Sequence, residues 1–167
     1  MKTLVVLIGL MGCGKTTVGK ILAEMLGYTF IDLDKEIENR EKKNISKIFN
    51  DFGEQYFREI EKEMIREFSV LSKTVVSLGG GAFQDVETQK ILKNNSVIIY
   101  LKATSGTIYN RIKNEIHRPL LCKNFSIETI DFILKKRKSN YEKAHHKIIT
   151  DNKTPEQIAK EILGVLK

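Results

Sequence analysis

Gly9-Leu10-Met11-Gly12-Cys13-Gly14-Lys15-Thr16 follows the spacing G-x-x-x-x-G-K-[ST]. The chemistry of that spacing is anion binding. Glycines let successive backbone N–H groups turn inward as a nest, and a following helix adds partial positive charge at its N-terminus. The lysine reaches β- and γ-phosphates, and the hydroxyl serves Mg²⁺. Average residue usage makes a chance match in a chain this long about one in a few hundred. The pattern therefore points to a nucleoside triphosphate, against the plainer reading of a glycine-rich turn with no ligand. Cys13 and Thr17 occupy variable places in the loop, and small-residue filling accounts for Cys13.

A second group of residues suits a phosphoryl acceptor. Asp32 and Asp34, in Phe30-Ile31-Asp32-Leu33-Asp34, end a short apolar run. Alternate residues on an extended segment point the same way, so both carboxylates could face a cleft at the strand's carboxyl end. One would serve Mg²⁺ and the other would orient a hydroxyl; alternatively, one is simply the N-cap of the helix beginning at Lys35. Glu54, Arg58 and Glu61 share a helical face, and Arg137 takes an apolar slot in the series Ile130, Leu134, Arg137, Tyr141. Each arginine alone reads as half of an internal ion pair. Two arginines with an aspartate in one cleft would instead grip a small polyhydroxylated carboxylate, because the planar guanidinium matches a carboxylate bidentately. Gly79-Gly80-Gly81 ends another strand, where glycine permits close approach of backbone to ligand.

The elements that must hold these residues alternate in period. Leu4–Ile8 is a continuous apolar strand of the kind buried on both faces of a parallel sheet. A helix with apolar positions Val18, Ile21, Leu22, Met25 and Leu26 follows and stops at Gly27. Strands are expected at 29–31, 74–78, 96–101 and 147–150, and helices at 35–42, 45–51, 54–71, 85–93, 104–113, 126–145 and 155–166. This alternation implies one α/β domain with an open parallel sheet covered on both faces. Residues 114–125, with Arg118-Pro119 inside, lack periodicity, and a loop of that length suits a lid.

Composition narrows the classes. The chain has 167 residues, is 41% hydrophobic, and contains two prolines and eleven glycines, so it reads as globular rather than disordered or fibrous. Its longest apolar run is too short to span a bilayer, and neither that run nor its flanks read as a secretory signal. Cys13 and Cys122 form no disulfide framework, and a cytoplasmic protein is expected. The net charge of +7 lies wholly beyond residue 100. Lys135-Lys136-Arg137-Lys138 is the best argument for a nucleic-acid partner, but four basic residues in a row on a helix point in different directions, and no stacking platform accompanies them.

Together these residues resemble shikimate kinases. The resemblance rests on Gly9–Thr16, Phe30–Asp34, Ile48-Phe49, Gly53-Glu54, Phe57-Arg58 with Glu61, Gly79–Gly81, Arg118-Pro119-Leu120-Leu121, and Arg137 with Tyr141 and Ala144, in the family's order over almost the whole chain. It implies a P-loop, nucleoside-monophosphate-kinase-like three-layer fold with a five-stranded parallel sheet. Residues 1–167 would form a single kinase domain, with acceptor-binding helices at about 32–62 and a short lid at about 113–124. It further implies transfer of the γ-phosphoryl of ATP to the 3-hydroxyl of shikimate in aromatic amino-acid biosynthesis, by a monomer with no nucleic-acid or membrane partner. Carried over by residue, Gly12, Cys13, Gly14, Lys15, Thr16 and Thr17 would bind ATP, with Arg111 near adenine and Arg118 at the phosphates. Asp34, Arg58, Gly79, Gly80, Gly81 and Arg137 would bind shikimate. Lys15, Asp34 and Arg118 would be catalytic. Thr16 and Asp32, helped by Ser77, would hold Mg²⁺. Glu61 would hold Arg58, and Phe49 and Phe57 would wall the pocket. The alternatives are another small-molecule kinase of this fold, for gluconate or a nucleoside monophosphate, or an inert homologue. One departure is that Lys43-Asn44 stand where the family often has a glycine.

Overall fold

A computed structural model describes residues 3–113 and 126–166; the expected lid and Arg118 lie outside them. The chain runs β1 (Leu4–Ile8), α1 (Lys15–Leu26), β2 (Thr29–Asp32), α2 (Leu33–Glu41), α3 (Ile45–Phe68), β3 (Thr74–Ser77), α4 (Val86–Asn95), β4 (Val97–Lys102), α5 (Ser105–Ile112), α6 (Ile127–Tyr141), β5 (His146–Ile149) and α7 (Pro155–Val165). The five strands form one sheet in the order β2-β3-β1-β4-β5, and every neighbouring pair is parallel. Helices cover both faces, as the alternation of periods implies.

The all-apolar β1 explains itself in this setting. Val5 and Leu7 join a core with α1, α5 and α7, while Leu4, Val6 and Ile8 join a second core with α2, α3 and α4. A strand buried on both sides has no position left for a polar residue. Because all strands run the same way, the segments after β1, β2 and β3 emerge at one edge of the sheet, where open α/β sheets bind ligands.

Three local features differ from the sequence expectation. The helices expected at 45–51 and 54–71 follow one another directly within Ile45–Phe68, broken at Gly53 with φ 85° and ψ 170°, a backbone state that glycine adopts without strain. Asp34 is not on an extended segment: β2 ends at Asp32, and Asp34 sits in the first turn of α2, so strand alternation is not what directs it. Lys43-Asn44 stand where the family often has a glycine, and it is Lys42 just before them that takes a positive φ, 52°. Asn44 then caps α3 by accepting from the Lys47 N–H at 2.8 Å, and the Lys43 ammonium bonds Asp51 at 2.8 Å and lies over the Phe52 ring at 4.3 Å from its centroid. An ion pair, a cation–π contact and a cap thus hold the turn between α2 and α3.

Candidate active site

The phosphate loop joins β1 to α1. Gly9, Gly12 and Gly14 have φ of 144°, 76° and 101°, which brings them into the region closed to most side chains. Space also demands glycine: a Cβ on Gly12 would come 2.7 Å from Ile112. Lys15 is buried, and its ammonium donates to the carbonyls of Gly9 at 2.9 Å and Leu10 at 3.1 Å. Cys13 is buried beneath the loop, as small-residue filling requires, with its sulfur 3.8 Å from the Lys15 ammonium. Thr17 is exposed on the opening turn of α1.

Thr16 donates its hydroxyl to Asp32 Oδ2 at 2.7 Å, so a hydroxyl and a carboxylate from two different elements share one point beside the loop. Asp32 also accepts from the Lys35 N–H at 3.4 Å; it is both the helix cap and the partner of Thr16. Buried Ser77 lies beside Asp32 across the sheet, since the two are register partners of β2 and β3.

At Gly79 and Gly81 a Cβ would displace a charged side chain, while at Gly80 it would be in ordinary contact. A Cβ on Gly79 would stand 2.7 Å from Asp34 Oδ1 and 3.1 Å from Glu61 Oε1. One on Gly81 would stand 2.7 Å from the Arg58 guanidinium, and one on Gly80 would stand 3.4 Å from that of Arg137 and 3.5 Å from the Met11 N–H nitrogen. Each glycine therefore backs onto a different charged group, and the middle one also abuts the phosphate loop. The following segment is a 3-10 turn over Ala82–Gln84, so the glycines open an ordered turn.

Arg58 forms the internal ion pair that its helical face suggests, and it also lines the cleft. Its guanidinium pairs with Glu61 at 2.8 Å and Glu54 at 3.3 Å, and it lies over the Phe57 ring at 5.3 Å; Phe57 packs on Phe49 with centroids 4.8 Å apart. Burial opposes the Arg58 charge, but Glu61 and Glu54 outweigh it and raise the guanidinium above its ordinary value. Glu61 is only 3% exposed, and burial pushes its carboxyl up to about 6 despite the opposing pull of Arg58, with Asp34 adding to the rise. One of its oxygens, Oε1, has no hydrogen-bond partner. Among the described residues, Arg137 has a backbone partner instead of the ion pair that a lone arginine suggests: it donates to the Gly80 carbonyl at 2.9 Å. Lys135, Lys136 and Lys138 around it are exposed, so the basic run is a solvated face with one inward member.

Arg111 is exposed at the end of α5. Its guanidinium donates to the carbonyls of Gly12 at 3.4 Å, Cys13 at 3.3 Å and Thr150 at 2.9 Å, which ties the loop to the end of β5. Lys153, Pro155 and Ile158 line the same continuous cleft as Arg111, Lys15, Asp34 and Arg58. The sequence marked Pro155 only as a helix start. Nothing in its local pattern signals the cleft, because sheet order alone brings β5 beside β4 and the loop.

A cleft with a phosphate nest at one end and two arginines with two carboxylates at the other is built to join a triphosphate to a small hydroxylated acid. Comparison with known proteins decides the family. A family model described as Shikimate kinase matches residues 11–167. A shikimate kinase of Persephonella marina is 45% identical over 161 residues, 96% of this chain and 97% of the relative.

The chain belongs to the shikimate kinase family.

It is an ATP-dependent shikimate kinase, a transferase of aromatic amino-acid biosynthesis. The solved shikimate kinase of Acinetobacter baumannii, in complex with shikimate, superposes with a TM-score of 0.93 at 34% identity, covering 98% of this chain and 92% of that one. A gluconokinase from Sinorhizobium meliloti covers 99% of this chain and 91% of its own, with a TM-score of 0.58 and 16% identity; that likeness concerns the fold alone. Among the described residues, no helix is long and apolar enough to cross a membrane.

Proposed function

We propose that this kinase moves the γ-phosphoryl of ATP onto the 3-hydroxyl of shikimate, using the residues converging on Gly79–Gly81. The observation that carries the reading is the backing of those glycines by Asp34 with Glu61, by Arg137 and by Arg58, with Gly80 against the phosphate loop. Acceptor and donor ends of the cleft thereby meet at one residue.

The work of the protein is positioning and charge neutralisation, since phosphoryl transfer asks for little covalent help. Lys15 exchanges its loop carbonyls for the β- and γ-phosphate oxygens. Arg58 and Arg137 take the shikimate carboxylate, with the peptide groups of Gly79, Gly80 and Gly81 beside it. Asp34, in the first turn of α2 and against Gly79, accepts from the shikimate hydroxyls and orients the attacking oxygen in line with the phosphoryl group. Glu61 fixes Arg58 from behind, and Phe49 and Phe57 wall the ring. Arg111 lies beside adenine, while Arg118 is assigned to the phosphates by family resemblance.

Thr16 and Asp32 suit Mg²⁺: a hydroxyl and a carboxylate at 2.7 Å offer hard oxygen ligands next to the phosphate nest. When bound, Mg²⁺ neutralises charge on the β- and γ-phosphate oxygens. A single chain supplies every side chain assigned here, which supports a monomer, and dependence on ATP suits the cytoplasm.

The test is ADP formation from ATP with shikimate, gluconate or AMP as acceptor. Only shikimate is expected to support turnover. Asp34→Ala should abolish it while nucleotide binding persists, and near-parental phosphorylation by that variant would falsify the acceptor assignment.

A further inference from the structure

Tyr141 ends α6 with its ring stacked on Tyr100, centroids 5.0 Å apart, and it is 1% exposed. Its hydroxyl donates to the Gly80 carbonyl at 2.5 Å, and Arg137 Nη1 donates to the same oxygen at 2.9 Å. One carbonyl thus receives two donors, filling both lone pairs. Burial pushes the Tyr141 hydroxyl up to about 12 against the opposing pull of Arg137, so it remains a proton donor wherever the enzyme works.

The two donors are not equivalent. Tyr141 is locked in the core, whereas Arg137 is half-buried and lines the open cleft. An arginine that turns to a ligand carboxylate gives up its carbonyl; Gly80 is half-buried in the cleft wall, and once a bound acceptor covers it a carbonyl left without a donor is costly. We propose that Tyr141 is a positioning residue of the acceptor site: its hydroxyl keeps the Gly80 carbonyl satisfied, and the glycine turn fixed, when Arg137 leaves that carbonyl for the carboxylate of shikimate. The inference rests on the assignment of Arg137 to that carboxylate. The geometry gives it a further consequence, because C=O and N–H of a trans peptide point in opposite directions. Holding the Gly80 oxygen toward α6 aims the Gly81 N–H away from α6.

Tyr141→Phe keeps the ring and its stacking, and the Asn140–Gln84 bond at 2.9 Å still ties α6 to the 3-10 turn. The test is steady-state kinetics of Tyr141→Phe, Arg137→Met and the double variant, with thermal unfolding of each. Tyr141→Phe should raise the shikimate KM about tenfold, the size of one acceptor left unpaired when bound shikimate covers it, and move the ATP KM less than about twofold. In the Arg137→Met background no arginine has to leave Gly80, so the same substitution should change the shikimate KM by less than about twofold. Equal changes in both KM values, or an undiminished effect in the Arg137→Met background, overturn the inference and leave Tyr141 a packing residue. If Arg137→Met raises the shikimate KM and Tyr141→Phe does not, the inference alone fails. If Arg137→Met leaves that KM unchanged, the carboxylate assignment fails and takes the inference with it.

Discussion

Replacing Glu61 by glutamine tests whether the acceptor site stores an unfavourable charge. Glu61 is almost wholly buried, its Oε1 is without a partner, and its carboxyl stands at about 6 against an ordinary 4.5, chiefly from burial. A folded value above the unfolded one means that folding favours the protonated form. The favourable contribution is complete below pH 4.5 and is lost as pH rises through 6. A rise of about 1.5 units corresponds to about 2 kcal/mol, by which ionised Glu61 weakens the fold at pH 8. Glu61→Gln is neutral throughout and escapes that loss. Its stability relative to the parent should therefore climb from near zero at pH 4 to about 2 kcal/mol at pH 8, or roughly 4–8 °C in Tm for a domain of this size. Urea unfolding of both ligand-free proteins at intervals across that range measures it. A gap that does not vary with pH, or a variant less stable than the parent at pH 8, would show that Arg58 fully compensates the buried charge and would refute the reasoning. The same substitution removes the charge that fixes Arg58, so the shikimate KM should rise while the fold gains stability, a trade expected where a strained charge serves function.

Two further perturbations address the neighbouring assignments. Gly79→Ala puts a methyl group 2.7 Å from Asp34 Oδ1 and displaces that carboxylate; turnover should fall about a hundredfold, with ADP binding by calorimetry changed less than about twofold. Thr16→Val removes the hydroxyl bonded to Asp32, and the Mg²⁺ concentration for half-maximal activity should increase about tenfold, read from a metal titration at fixed ATP.

Much of the fold was legible because burial on two faces leaves a direct mark. Leu4–Ile8 is apolar throughout since each side chain enters one of two cores, and the phosphate loop follows it with spacing that admits little else. The acceptor site was legible in residue types but not in geometry. Asp32 and Asp34 were expected to share a direction by strand alternation; the strand ends at Asp32, and Asp34 reaches Gly79 from a helix turn instead. The local pattern could not show where β2 stops, because its last residue is also the cap of α2. Nor could it show that Lys42 takes a positive φ beside Lys43-Asn44, since that depends on the bonds Lys43 and Asn44 make across the turn.

By itself, the sequence determined the class of chemistry: an anion nest, two arginines marked by their places on helices, two carboxylates two residues apart and three glycines at a strand end. Those features depend on residue type and short spacing. Only the tertiary structure decided which charge faces which glycine, that Glu61 lies buried and partly unbonded, and that Arg137 and Tyr141 meet on one carbonyl 57 and 61 residues away. These depend on the sheet order β2-β3-β1-β4-β5, which brings chain segments remote in sequence to one edge, and burial and pairing acquire their energies only once that edge is assembled.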